Sequence, residues 1–177
     1  EAVERSNQTL NPIAENRAVL LALSKAYGGD QLIQMLGNPD IGRFKTPTPY
    51  SIYKRKDLAQ HYILSAGLTL VADENIASLI GIDKEITDLT GGRSISAWDL
   101  LADKAGVRLA KNATRSAKLA RKVQLALSQA RRDRDLLPDI GTEFEFSDDR
   151  FGLEELRELE VLIELYLEQH ALLRIDS

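Results

Sequence analysis

The residues that could do chemistry fall in one stretch, Lys56 to Asn112, and they recur at helical spacing. Asp57, His61 and Ser65 follow one another at intervals of four, Glu85 and Asp88 are three apart, and Asp99 and Asp103 are four apart. Residues three or four apart are neighbours on a helix surface, so each set forms one polar stripe. Three such faces turned toward one another would gather a histidine, a hydroxyl and up to five carboxylates. Imidazole and carboxylate groups are ligands for a divalent cation and are also the usual general acids and bases. His61, Glu85 and Asp103 are therefore the candidate catalytic residues, and His61, Glu85, Asp99 and Asp103 the candidate metal ligands. Ser65, Lys84, Asp88 and Arg93 are candidates for contact with a small polar ligand. Ser65, one turn after His61, is also placed to be a nucleophile beside its base. The cofactor this set implies is a divalent metal ion.

Each residue also has a purely structural reading. His61 stands next to Tyr62 in an apolar helical pattern, as a satisfied core histidine would. Ser65 is small enough to be a packing residue. Lys84 and Glu85 could face solvent, Asp88 could pair with Arg93, and Asp99 could serve a helix start, where the helix dipole favours a carboxylate. Asp103 resists dismissal. It lies deep in its helical pattern, where Asp has poor propensity, and if buried it needs a partner.

The elements that must position these groups are helices. Asn11 and Pro12 form a helix start, and the pattern that follows is expected to stop at Gly28-Gly29, with a short helix from Asp30 to Leu36. Residues 38–53 carry three prolines and little periodicity, as a long ordered loop would. Helices are expected from about 55 to 71, from Asp73 to Gly81, and from Ile82 to Leu89. Ser96 with Asp99 resembles a capping box that opens a helix running to Ala110. A basic helix over 112–134 has an apolar stripe of Leu119, Val123, Ala126 or Leu127, and Ala130. The acidic run Phe151–Leu173 buries Leu153, Leu156, Leu159, Leu162, Ile163 and Tyr166, and is expected to pair with the basic helix, whose other reading is a phosphate-binding or membrane-surface patch. A strand is arguable only for GTEFEFSD, at most as a short edge piece. The expected architecture is all-α: a single domain over 1–177, an irregular bundle of about six to eight helices with a long Pro-containing loop. Within it, 1–54 supplies N-terminal helices and the extended loop, 55–111 the polar core, and 112–177 the basic–acidic helix pair.

Composition limits the function. The chain has 177 residues, 44% hydrophobic and 28% charged, with a net charge of −4. That is enough chain for a sizeable core, and an acidic balance argues against nucleic acid as a partner. No apolar run reaches the length of a transmembrane segment, so a soluble chain is expected. The absence of cysteine removes thiolate metal sites and cysteine nucleophiles. The start at Glu1 rather than Met reads as a processed or trimmed one.

The segments DLAQHYILSAGL, GIDKEITDLTGG and SAWDLLADKAGVRLA, in that order, resemble a family of predicted bacterial periplasmic lipoproteins of unknown function. In that family a small-residue helix opened by a histidine precedes a Gly-x-x-Lys-Glu-x-x-Asp segment and an Asp-Leu-x-x-Asp-x-x-Gly segment. More distantly the order is similar to VanZ-like membrane proteins, whose hydrophobic helices this chain lacks. The resemblance covers about a third of the chain and marks His61, Ser65, Lys84, Glu85, Asp88, Asp99, Asp103 and Gly106. It implies a periplasmic or envelope location and a protein partner there, but no cysteine is present to carry a lipid anchor. Two functions follow. One is an envelope protein whose His/Glu/Asp cluster binds a metal or small polar ligand, with hydrolysis as its reaction. The other is a non-catalytic helical interaction or structural module held by a buried polar network.

Overall fold

Backbone hydrogen bonding along the chain closes five α-helices among the described residues. The computed structural model describes residues 11–35, 50–71, 96–141 and 153–174, with the helical backbone alone for 28–35 and 153–157. The helices are α1 (Pro12–Met35), α2 (Lys56–Val71), α3 (Ala97–Thr114), α4 (Ala117–Gln129) and α5 (Leu153–Gln169), with a 3-10 turn at Asp133–Asp135. The only extended pairing among the described residues is one bridge between Ile52 and Arg55, and the architecture is all-α. The helices expected over 73–89, most of the proline-rich loop and the candidate strand after Gly141 lie outside the described residues. None of the described helices is long and apolar enough to cross a membrane.

Local chemistry accounts for most of the helix ends. Asn11 Oδ1 accepts the Ile13 backbone N–H at 3.0 Å, and Pro12 fills the first helical position, where its missing N–H costs nothing. The helix does not stop at Gly28-Gly29 as expected but continues to Met35. Interior glycine costs about 1 kcal/mol relative to Ala, yet it keeps its N–H, so the ladder can run through it. Ser96 opens α3 with a reciprocal capping box to Asp99. The single basic helix expected over 112–134 is instead divided. Ser116 takes an extended conformation and accepts the Leu119 N–H, so α4 starts afresh at Ala117. The break also turns the stripe: Ala120 and Val123 are buried, whereas Leu127 is exposed.

The fold is built around α3, which touches α1, α2, α4 and α5. Every residue from Leu101 to Ala110 is buried, including Asp103, Lys104 and Arg108. A helix covered on all sides ordinarily carries apolar residues all round, so these three charged groups must each be satisfied by a neighbour. Apolar packing comes from Leu101 and Leu109 of α3, Leu58 and Tyr62 of α2, Leu20 of α1, and Leu159, Ile163 and Leu167 of α5. Each fully buried Leu or Ile contributes roughly 1.5–3 kcal/mol relative to exposure.

Among the described residues, three glutamates of the acidic helix α5 reach the middle of α3. Lys104 lies 3.0 Å from Glu164 and 3.7 Å from Glu160, and Arg108 pairs with Glu164 and, at 2.8 Å, with Glu168. Arg121 and Lys122 sit on the exposed side of α4.

Helices α2 and α3 are closest where Gly106 faces α2. A Cβ there would lie 2.2 Å from the Tyr62 carbonyl oxygen and 3.0 Å from Ser65 Cβ. A similar contact joins α1 to α2, where a Cβ on Gly67 would lie 2.1 Å from Ser24 Oγ. The Tyr62 oxygen is backbone and cannot swing aside, so Gly106→Ala must push the two helices apart. Overpacking of this kind costs about 1–3 kcal/mol, and this substitution is expected at or above the upper end. Urea unfolding of the variant checks it; a loss within experimental error would mean the two helices have room between them.

Candidate functional site

Three of the polar residues meet at the α2–α3 contact. His61 and Ser65 lie one turn apart on α2, and Asp103 faces them from the buried centre of α3. Ser65 Oγ donates to Asp103 Oδ1 at 2.7 Å. His61 Nδ1 lies 3.1 Å from Oδ1 and 3.2 Å from Oδ2, astride the carboxylate. Because a carboxylate only accepts, Nδ1 carries a proton. Asp103 is 1% exposed and His61 7%. Burial alone pulls His61 toward the neutral form; the hydrogen bond and charge of Asp103, with smaller contributions from Asp99 and Asp57, more than reverse this and raise its pKa above the ordinary histidine value.

The next turn of α3 toward its start holds a second polar group. Asp99 Oδ2 accepts from the Ser96 N–H at 3.0 Å and from Ser96 Oγ at 2.8 Å, while Oδ1 faces Arg55 Nη2 at 3.3 Å. The same Arg55 nitrogen donates to Asp57 Oδ2 at 2.7 Å. Burial would raise the Asp57 pKa, but the Arg55 guanidinium lowers it further, so the net shift is downward. Arg55 is delivered by a tight turn over Ile52–Arg55 in which Tyr53 and Lys54 take positive φ values of 53° and 61°. Non-glycine residues in that left-handed region are uncommon. Here the turn is held by Tyr53, whose N–H donates to Asp133 Oδ2 at 2.7 Å and whose hydroxyl donates to the Leu137 carbonyl at 2.8 Å. Its ring meets Trp98 edge-on, with centroids 5.4 Å apart.

This geometry redraws several expectations. Ser65, expected as a nucleophile beside His61, is fully buried and donates its proton to Asp103. Asp99 is occupied by the capping box and Arg55 rather than turned toward His61 and Asp103 as a ligand. Glu85, Lys84, Asp88 and Arg93 lie outside the described residues. Among the described residues no three His, Asp or Glu side chains are grouped to hold a metal ion.

The sequence reading overlooked the second charged cluster. Lys104 and Arg108, one turn apart on α3, meet Glu160, Glu164 and Glu168 at the same spacing on α5. Burial would raise the Glu164 pKa, but its bonds to both cations hold it below the usual value. The matching four-residue spacing was the available signal. Comparison with protein-family models, with curated proteins and with solved structures gave no match.

The raised His61 pKa makes stability depend on pH in a definite direction. The stabilisation it contributes is complete below the unfolded-state value of 6.5 and is lost as pH rises through the higher folded-state value. Stability measured by urea unfolding is therefore expected to decline as pH is raised through and beyond neutrality, and His61→Gln is expected to remove most of that slope. An unchanged slope in the variant would assign it to another group.

Proposed function

We propose that the protein is a non-catalytic helical interaction or structural module in which a buried polar network sets the register of α2 against α3. One observation carries this reading: the Asp103 carboxylate is 1% exposed and accepts from both Ser65 and His61, which leaves it closed to an incoming substrate. A buried, fully hydrogen-bonded charge stabilises a fold weakly compared with apolar residues of the same volume, but removing one partner is strongly destabilising. Such a network penalises misregistered packing, because any slip of one helix along the other strands a charge.

The similarity of the His61, Glu85–Asp88 and Asp99–Asp103 segments to periplasmic lipoproteins supports an envelope location and a protein partner there. The alternative, a divalent cation or small polar ligand bound and hydrolysed by His61, Glu85 and Asp103, predicts the opposite response to the same substitution. In the module, Asp103→Asn takes the charged acceptor away from His61 Nδ1 and Ser65 Oγ and costs on the order of 3 kcal/mol. In a metal site, removing one of several crowded carboxylates stabilises the ligand-free protein and abolishes its response to cations. Thermal unfolding of both proteins, with and without magnesium, calcium, manganese or zinc, separates the two. The module reading expects a destabilised variant and a wild type indifferent to every cation. A wild type stabilised by a cation, with a variant that is more stable and indifferent, would overturn it.

A further inference from the structure

An apolar cavity of about 910 Å³ opens between α1, α2, α3 and α4, lined by residues other than His61, Ser65 and Asp103. Its size lies in the range of small-molecule sites, which are mostly apolar with a few polar groups that orient the ligand. Leu20 and Leu23 of α1, Ile63 of α2, Leu109 of α3 and Leu136 beyond α4 supply aliphatic wall. Val19, Tyr50 and Leu127 also line it, and they are 57%, 68% and 40% exposed. They are three of the six large hydrophobic side chains left exposed among the described residues, so half of that unfavourable surface is concentrated at one opening. Grouped apolar exposure of this sort marks a binding site more often than isolated residues do.

The polar groups of the cavity indicate what chemistry it would accept. Among the described residues that line it, the charged side chains are Glu15 and Asp133 and none is Lys or Arg. Glu15 is held in place by Gln124 Nε2, which donates to Glu15 Oε2 at 3.0 Å and to Asn16 Oδ1 at 3.0 Å. Asn16 in turn donates to the carbonyls of Ala113 and Ala120, tying the lip to both α3 and α4. Tyr62, another wall residue, is buried with a hydroxyl that has no hydrogen-bond partner among the described residues. A buried hydroxyl without a partner is costly and calls for an explanation.

We propose that this cavity binds a small cationic amphiphile, its apolar body against the leucine walls and its positive group beside Glu15. An anionic amphiphile of equal length would bring its charge against the Glu15 carboxylate, which is unfavourable at close range.

Isothermal titration of the full chain with dodecyltrimethylammonium, kept below its micelle concentration, tests this against dodecanoate as the anionic counterpart. The expected result is saturable binding of one equivalent of the cation, with dodecanoate at least tenfold weaker. Ala18→Trp enlarges an exposed position that lines the cavity, so the variant is expected to fold normally and to bind at least tenfold more weakly. Should that variant not fold, Leu127→Trp fills the same space from another exposed position. Glu15→Gln is expected to narrow the preference for the cation over dodecanoate. Val161→Ser removes an exposed apolar side chain on α5, away from the cavity lining, and is expected to leave binding unchanged. Absence of saturable binding, equal affinity for dodecanoate, or a loss in Val161→Ser as large as in Ala18→Trp would each overturn the proposal.

Discussion

Asp103 places a carboxylate at the centre of a helix that is covered on every side, and a charge so placed must be met by donors or it costs several kcal/mol. The donors are on α2. For the short Ser65 hydroxyl to reach across at 2.7 Å, the two helix backbones have to approach closely. Gly106, one turn after Asp103, permits that approach, because the Tyr62 carbonyl occupies the space a side chain would need. The acid, its two donors and the glycine therefore form one constraint. Bulk at Gly106 would lengthen the hydrogen bonds to Asp103, and loss of those bonds would remove the reason for the approach.

The other helices attach to this pair by different means. Helix α1 docks on α2 through Ser24, whose hydroxyl donates to its own Leu20 carbonyl and to that of Ile63, in the space left by Gly67. Helix α5 buries Leu159, Ile163 and Leu167 and sets its glutamates over Lys104 and Arg108. The glutamates stay about 40–50% exposed while the cations are nearly covered, so water moderates one side of each pair. Such pairs contribute modestly to stability, and their main effect is to choose which face of α5 meets α3. Asn112 completes that contact by donating to the Leu172 and Arg174 carbonyls beyond the end of α5.

Helix α2 thus serves two environments. Its His61 and Ser65 are spent on the polar contact with α3, while Ala59, Tyr62 and Ile63 contribute to the apolar cavity. The network is buried and hydrogen-bonded and is suited to holding a geometry. The cavity is open and apolar and is suited to holding a molecule.

Local residue chemistry determined much of this protein without reference to tertiary structure. The all-α class, the start of α1 at Asn11-Pro12, the Ser96–Asp99 capping box and the singling out of Asp103 all rest on interactions within one or two turns. For the same reason His61 and Ser65 could be named as sharing one helical face, and Asp99 and Asp103 another. Only the packed structure decided what those groups face. It gave the Ser65 proton to Asp103 rather than to His61, tied Asp99 to Arg55, and set glutamates of the acidic helix against Lys104 and Arg108. It also carried α1 through Gly28-Gly29 and divided the basic helix at Ser116, where local preferences differ by only about 1 kcal/mol. The physical reason is one of range. Caps, periodicity and propensity act over a few residues, whereas hydrogen bonds between elements 38 to 60 residues apart depend on which faces the apolar core brings into contact.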